Sequence, residues 1–347
     1  MLTETDREYT TRLLCNAKAI GPGSEVIEIV EERTSGHGLL SNIKRLNVVY
    51  TDAESGAISQ LPVFVKYIDG DCAPTFSIFE NEILFYESRL AVDAAINIPK
   101  CFGASGRGSG RGMELILEDL GDDGFITQLN GCSAGDVALA LAEIGRLHAC
   151  CLRHADRVPG WIRRTPQAHI TDYCKSILLP YAGPWPPLLE KSAIFLIKNM
   201  DGIAEIVSGT CPTVVHGDFH CQNMQFYPSR GKRSVRFIDF QCLQLGSPML
   251  DVARILATSM HISERKKVQS KLVDHHYMIC RSSCSKEWIY EDFRREFLAA
   301  LLWNLLTPLA IHVNGIVTQG KKWGDRFPIL DRCISAIEDW EALSLRV

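Results

Sequence analysis

The chain has 347 residues, of which 46% are hydrophobic and 22% charged, with a formal net charge of -4. This length supports a large buried core in about two domains or lobes, and the slight acidity argues against the broad basic field that nucleic acid requires, so no nucleic-acid partner is expected. Met1 to Thr11 is polar and acidic rather than a charged leader before an apolar stretch, and the thirteen cysteines are scattered; a cytoplasmic protein with reduced thiols is expected.

In chain order, Glu25 to Glu31 is β-branched and apolar, Ser35-Gly36-His37-Gly38 breaks the run, and Ile43 to Tyr50 resumes alternation, a strand pair around a glycine turn. Thr51 to Ser59 is a second turn, and Leu61 to Ile68 is a third strand carrying Lys66. Phe76 to Leu90 changes to helical spacing, with Phe79, Ile83 and Tyr86 on one face and Glu82 near it. Ser105 to Gly112 is a glycine, serine and arginine loop before the buried strand Met113 to Leu117, which ends at Glu118-Asp119-Leu120-Gly121. From Ser133 the pattern is mostly helical: Ser133 and Asp136 resemble a capping box ahead of the Val137, Leu141, Ile144, His148 face. Two short apolar strands, Thr213 to Val215 and Val235 to Ile238, interrupt the helices, and each runs into an acid-bearing loop. The apolar run Phe297 to Val313 is slightly short for a membrane span and holds Asn304, Thr307, Pro308 and His312, so it reads as a buried helix, with no membrane span.

The expected fold class is therefore α+β and bilobal, with a β-rich lobe over residues 1–120 and a mostly helical lobe over 121–347. Cys150-Cys151 and Cys280 with Cys284 lack the paired spacing of a zinc site.

The strongest chemical signal is His216-Gly217-Asp218-Phe219-His220-Cys221-Gln222-Asn223 after one strand and Ile238-Asp239-Phe240-Gln241 after the next. Phosphoryl transfer needs a carboxylate for the attacking hydroxyl's proton and oxygen ligands that hold magnesium against nucleotide phosphates. Asp218 fits the first need, and Asn223 with Asp239 the second.

These segments resemble the catalytic and metal loops of aminoglycoside phosphotransferases and choline kinases. They depart from the protein-kinase pattern at Gly217, where arginine is usual, and at Gln241, where glycine is usual. Together with Phe79-Glu80-Asn81-Glu82, Leu115 to Leu120 and Gly246-Ser247-Pro248, they are similar to the ecdysteroid-kinase-like or CHK-kinase-like family, over about residues 30 to 310. The resemblance implies a bilobal protein-kinase-like fold and ATP- and magnesium-dependent transfer of a phosphoryl group to a hydroxyl of a small molecule.

The same resemblance implies roles for other residues. Lys66, a cation in an apolar strand, would steady the α- and β-phosphates, held by a glutamate of the following helix. Glu80 and Glu82 face different sides of that helix, and the family pattern, with its glutamate after Asn81, favours Glu82. Gly36, Gly38 and Ser41 would cover the phosphates through backbone N–H groups and the serine hydroxyl. Glu118, Asp119 and Leu120 would form the hinge, where backbone groups meet adenine, and Asp251 would brace the catalytic loop. His216 reads as structural, and His220 as a candidate lining residue. Two alternatives stay open: a choline or ethanolamine kinase, with Trp303, Trp323 and Trp340 as candidate lining residues for a cationic head group, and a catalytically silent nucleotide-binding scaffold.

Overall fold

The computed structural model describes residues 6–32, 41–68, 73–106, 113–165, 176, 186–319 and 328–347, without the side chains of 73–77 and 314–319. The chain forms two compact units. The first comprises Met1–Ala91, Asn97–Asp123 and Arg236–Cys242, and the second Val92–Ile96, Gly124–Val235 and Leu243–Val347. The segment that bears Asp239 thus belongs with the first unit, far from it in sequence.

The first unit is an antiparallel sheet of five strands, β1 (Glu25–Glu32), β2 (Asn42–Thr51), β3 (Ile58–Ile68), β4 (Cys101–Ser105) and β5 (Met113–Glu118), in the order β1-β2-β3-β5-β4. Side chains alternate across a strand, so β3 sends Val63 and Val65 to one face, where they pack with Val26, Ile29, Leu46, Val48 and Ile116 and with Leu14 of helix α1 (Arg7–Asn16). Ile68 goes to the other face, where Met113, Leu115 and Leu117 meet Phe79 and Ile83 of helix α2 (Ala73–Glu87), which precedes the single turn α3 (Leu90–Asp93). Lys66, two residues before Ile68 and opposite Leu115 in the β3–β5 register, shares this helix-covered face.

Helices dominate the second unit: α4 (Ala134–Arg153), α5 (Pro187–Lys198), α6 (Met200–Val207), α7 (Met249–Ser259), α8 (Ile262–Arg281), α9 (Tyr290–Trp303), α10 (Leu306–Gln319) and α11 (Pro328–Asp339). Ser133 caps α4: its hydroxyl oxygen accepts from the Asp136 N–H at 3.2 Å and its O–H donates to Asp136 Oδ2 at 2.8 Å. All eleven residues of α7 are buried, so this helix is a core element on every side. Short strand β6 (Thr213–Val215) pairs with β9 (Gln244–Gly246), while β7 (Met224–Ser229) and β8 (Lys232–Phe237) make a hairpin over Arg230 and Gly231, whose φ angles of 50° and 74° are those of a tight twisted turn.

Two features differ from the sequence expectation. The apolar run is two helices, α9 and α10, because the chain turns at Asn304, whose side-chain N–H donates to the carbonyls of Leu250 and Ala300. Among the described residues, one stretch is long and apolar enough to cross a membrane, Tyr290–Val313, and it is mostly buried within the protein. The other difference is a disulfide between Cys211 and Cys284 in place of two reduced thiols. Folding brings the loop ahead of β6 against the turn after α8, 73 residues away in sequence, and no local spacing signals that meeting.

Candidate active site

In the first unit, β3 delivers Lys66 and the facing helix α2 delivers Glu82, and the ammonium Nζ lies 2.6 Å from Glu82 Oε2 and 3.2 Å from Asp239 Oδ1. Lys66 is 7% exposed and Glu82 fully buried, whereas the Asp239 side chain keeps about a third of its surface. The ion pair falls to Glu82 and not to Glu80. Glu82 Oε1 also accepts from the Phe240 N–H at 3.3 Å, and Phe85 stacks on the Phe240 ring at 3.8 Å, which locks the segment after β8 onto the helix. Burial pushes the Lys66 pKa down, but the Glu82 and Asp239 carboxylates outweigh it and hold that pKa above its ordinary value. Asp239 has φ 68°, a left-handed conformation that costs a non-glycine residue energy and is retained where surrounding structure enforces it.

Glu118, Asp119 and Leu120 lie at the end of β5 in the same unit. The side chain of Glu118 bonds Arg236 at 3.2 Å and the Lys100 N–H at 3.1 Å, while Asp119 Oδ1 accepts from the Gly121 N–H, so both acid side chains are occupied in holding the chain itself. Ser41 is buried just ahead of β2; Gly36, Gly38 and Trp323 lie outside the described residues. Trp340 packs edge-on against Phe297 at 4.8 Å, an ordinary core contact.

In the second unit, β6 feeds the loop His216 to Asn223 over Gly217, whose φ of 81° admits the sharp turn. Asp251 of α7, fully buried, accepts the His216 N–H on Oδ2 at 2.8 Å and the Gly217 N–H on Oδ1 at 3.0 Å, and His148 Nε2 lies 3.1 Å from Oδ2. Asp218 is half-buried: Arg254 Nη2 donates to its Oδ1 at 2.6 Å, and His220 Nε2 stands 3.2 Å from its Oδ2. The Asn223 amide donates to the Asp218 backbone carbonyl at 3.0 Å, which leaves its carbonyl oxygen on the other side of the amide. Burial would raise the Asp218 pKa, yet the Arg254 guanidinium and then His220 outweigh burial and hold the carboxyl far below its usual range.

The sequence reading missed Arg254 and Ser259, whose Oγ accepts the Cys221 N–H at 3.0 Å. Their signal was present: Asp251, Arg254, Thr258 and Ser259 are the polar positions of an otherwise apolar helix, spaced for one broad face. Because Asp251 holds two loop N–H groups with its charge, Asp251→Asn should cost on the order of 3 kcal/mol of stability, read by denaturant unfolding; a loss below about 1 kcal/mol would remove it as a brace.

Behind Asp251, the side chains of His148, His276 and Cys280 cluster in the core. His148 Nδ1 and His276 Nε2 are 2.9 Å apart, closer than the ~3.3 Å that two nitrogens keep on a tetrahedral zinc, so the contact is a hydrogen bond extending from Asp251 rather than a metal centre.

The architecture is that of the protein-kinase-like fold used by small-molecule phosphotransferases. A candidate aminoglycoside phosphotransferase of Ralstonia eutropha JMP134 superposes with TM-score 0.54 at 13% identity, covering 96% of this chain and 98% of that one. The GDP complex of aminoglycoside 2'-phosphotransferase-IIIa gives 0.52 at 11%, covering 98% and 99%, and choline kinase LicA of Streptococcus pneumoniae gives 0.50 at 13%, covering 97% and 98%. Among curated proteins none matches significantly. The family model for the ecdysteroid kinase-like family matches residues 35–178 and 187–282, and the chain belongs to that family.

Proposed function

We propose that this chain is an ATP- and magnesium-dependent kinase that passes the γ-phosphoryl group to a hydroxyl of a small organic acceptor. The observation that carries this reading is the buried Lys66 held between Glu82 and Asp239, with Asp239 on a left-handed backbone and partly open to solvent. A lysine placed in an apolar strand and kept charged by two carboxylates is a cation prepared for an anion, and nucleotide phosphates are such an anion.

On this reading Lys66 contacts the α- and β-phosphates and Glu82 fixes the ammonium. Gly36, Gly38 and Ser41 cover the phosphates, and backbone groups of Glu118, Asp119 and Leu120 meet adenine. The hard oxygens of Asn223 and Asp239 suit magnesium, and the Asp239 side chain keeps about a third of its surface open to receive it. When bound, magnesium neutralises charge on the β- and γ-phosphates. Asp218 accepts a hydrogen bond from the acceptor hydroxyl and orients it toward the phosphorus. Residues 1–120 serve the nucleotide, and 121–347 carry the catalytic and metal loops and the acceptor pocket.

The test of the metal assignment is Asp239→Asn, which keeps size and removes the charge. The magnesium concentration for half-maximal turnover should rise by roughly tenfold or more, about the effect of losing a 1.4 kcal/mol interaction, with the thermal midpoint changed little. Parental turnover at limiting magnesium would show that Asp239 is no ligand.

A further inference from the structure

The loop His216 to Asn223 is held along one helix. Asp251 of α7 takes the N–H groups of His216 and Gly217, Ser259 takes that of Cys221, and between them Arg254 reaches a side chain, the carboxylate of Asp218. Asp251 and Arg254 are three residues apart and so are neighbours on the helix surface, which places a backbone clamp and a carboxylate clamp side by side.

Arg254 is 5% exposed, and its Nε has no hydrogen-bond partner. A buried guanidinium is expensive unless paired, and its ion pair among the described residues is with Asp218. The helix therefore carries a cation at a solvation cost that the Asp218 carboxylate offsets. Asp218 Oδ1 is held by the guanidinium at 2.6 Å and Oδ2 lies near His220 at 3.2 Å and Asn223 at 3.4 Å. A carboxylate fixed at both oxygens cannot turn about its side-chain bonds, yet each oxygen still has a lone pair for an incoming hydroxyl.

We propose that Arg254 is a positioning residue for phosphoryl transfer, acting through Asp218 by fixing the plane and direction of the carboxylate that receives the acceptor hydroxyl. This rests on the kinase reading above. A misplacement of about 1 Å at a reacting group is enough to cost ~10²-fold in rate, so the clamp governs turnover rather than nucleotide affinity.

The test is steady-state kinetics with ATP, magnesium and a panel of a hydroxylated steroid, choline, an aminoglycoside and a hexose, with water as acceptor if none of these is used. Arg254→Met should lower kcat by ~10²-fold and leave the KM for ATP within a few-fold. Arg254→Lys, which keeps the charge but not the planar donor fork, should recover part of that loss. Adding Arg254→Met to Asp218→Asn should cost nothing further, because the arginine would have lost the group it acts through. A folded Arg254→Met with near-parental kcat, or losses that multiply in the double variant, would overturn the inference and leave the kinase reading intact. So would an Arg254→Met that fails to fold beside an Arg254→Lys with parental kcat, since the charge would then serve folding alone. A parent protein without ATP turnover on the whole panel and on water would overturn both.

Discussion

Asp218→Asn should retain ATP binding and lose most of its turnover, with kcat lower by the ~10²–10⁴-fold typical of removing a positioned base. The substitution keeps the shape of the side chain, but an amide presents one oxygen where the carboxylate presents two, and it carries no charge to draw the hydroxyl's proton. Arg254, 2.6 Å away and almost fully buried, would lose its counter-charge, so the loop should also be loosened locally. Lys66 and Glu82, the groups proposed to hold the nucleotide, belong to the other unit, so binding and chemistry should separate. Calorimetric titration with ATP beside turnover on the acceptor found by the panel gives both numbers. An Asp218→Asn protein with kcat within a few-fold of the parent would remove Asp218 from the reaction.

Lys66→Met should act on both nucleotide use and stability. Methionine fills the space of the lysine stem but leaves Glu82, fully buried, without its cation. Breaking such a pair costs ~3–5 kcal/mol when the remaining charge stays ionised. Burial already pushes the Glu82 pKa up, with Lys66 opposing, so in the variant the carboxyl titrates higher still. The sign follows from linkage: a carboxyl whose folded pKa is raised above its unfolded value contributes stability that is present at acidic pH and lost as pH rises through the folded pKa. The thermal midpoint of Lys66→Met should therefore approach the parent's near pH 5 and fall below it toward pH 8, a trend that a melting series in buffers of constant ionic strength would show. At neutral pH the KM for ATP should rise, kcat should fall, or both. Unchanged kinetics and a pH-independent difference in midpoint would make Lys66 an ordinary buried strand residue.

What was legible in the sequence follows from how local each signal is. Strands β1, β2, β3 and β5 announce themselves by alternation and β-branched residues, and α2 by Phe79 and Ile83 at helical spacing, because each pattern is complete within one element. Strand β4 was missed since Cys101-Phe102-Gly103-Ala104-Ser105 is mostly small and its pairing with β5 is irregular between Cys101 and Gly103. Strand β7 has Pro228 as its penultimate residue and β9 is three residues long, too little to carry a period.

The site divides along the same line. Asp218, Asn223 and Asp239 stand out because they follow strands in two compact motifs. Lys66 stands out as a charge in an apolar run. Arg254 is marked only as a polar position of a buried helix: such a residue needs a partner, and only the folded chain shows that the partner is Asp218, 36 residues upstream. The contact of Glu82 with Lys66 over 16 residues, and of Asp239 with Lys66 over 173, likewise arises from strand register and helix placement rather than from any local pattern.

The most direct test of the central claim is mass spectrometry of an acceptor mixture of hydroxylated steroids, choline-like amines, aminoglycosides and sugars after incubation with the protein, ATP and magnesium. One class of acceptor should gain a single phosphoryl group, ADP should appear in equal amount, and both products should vanish when magnesium is chelated or Asp218 is replaced by asparagine. ATP binding without phosphorylation of any acceptor, or transfer that persists unchanged in Asp218→Asn, would contradict the claim.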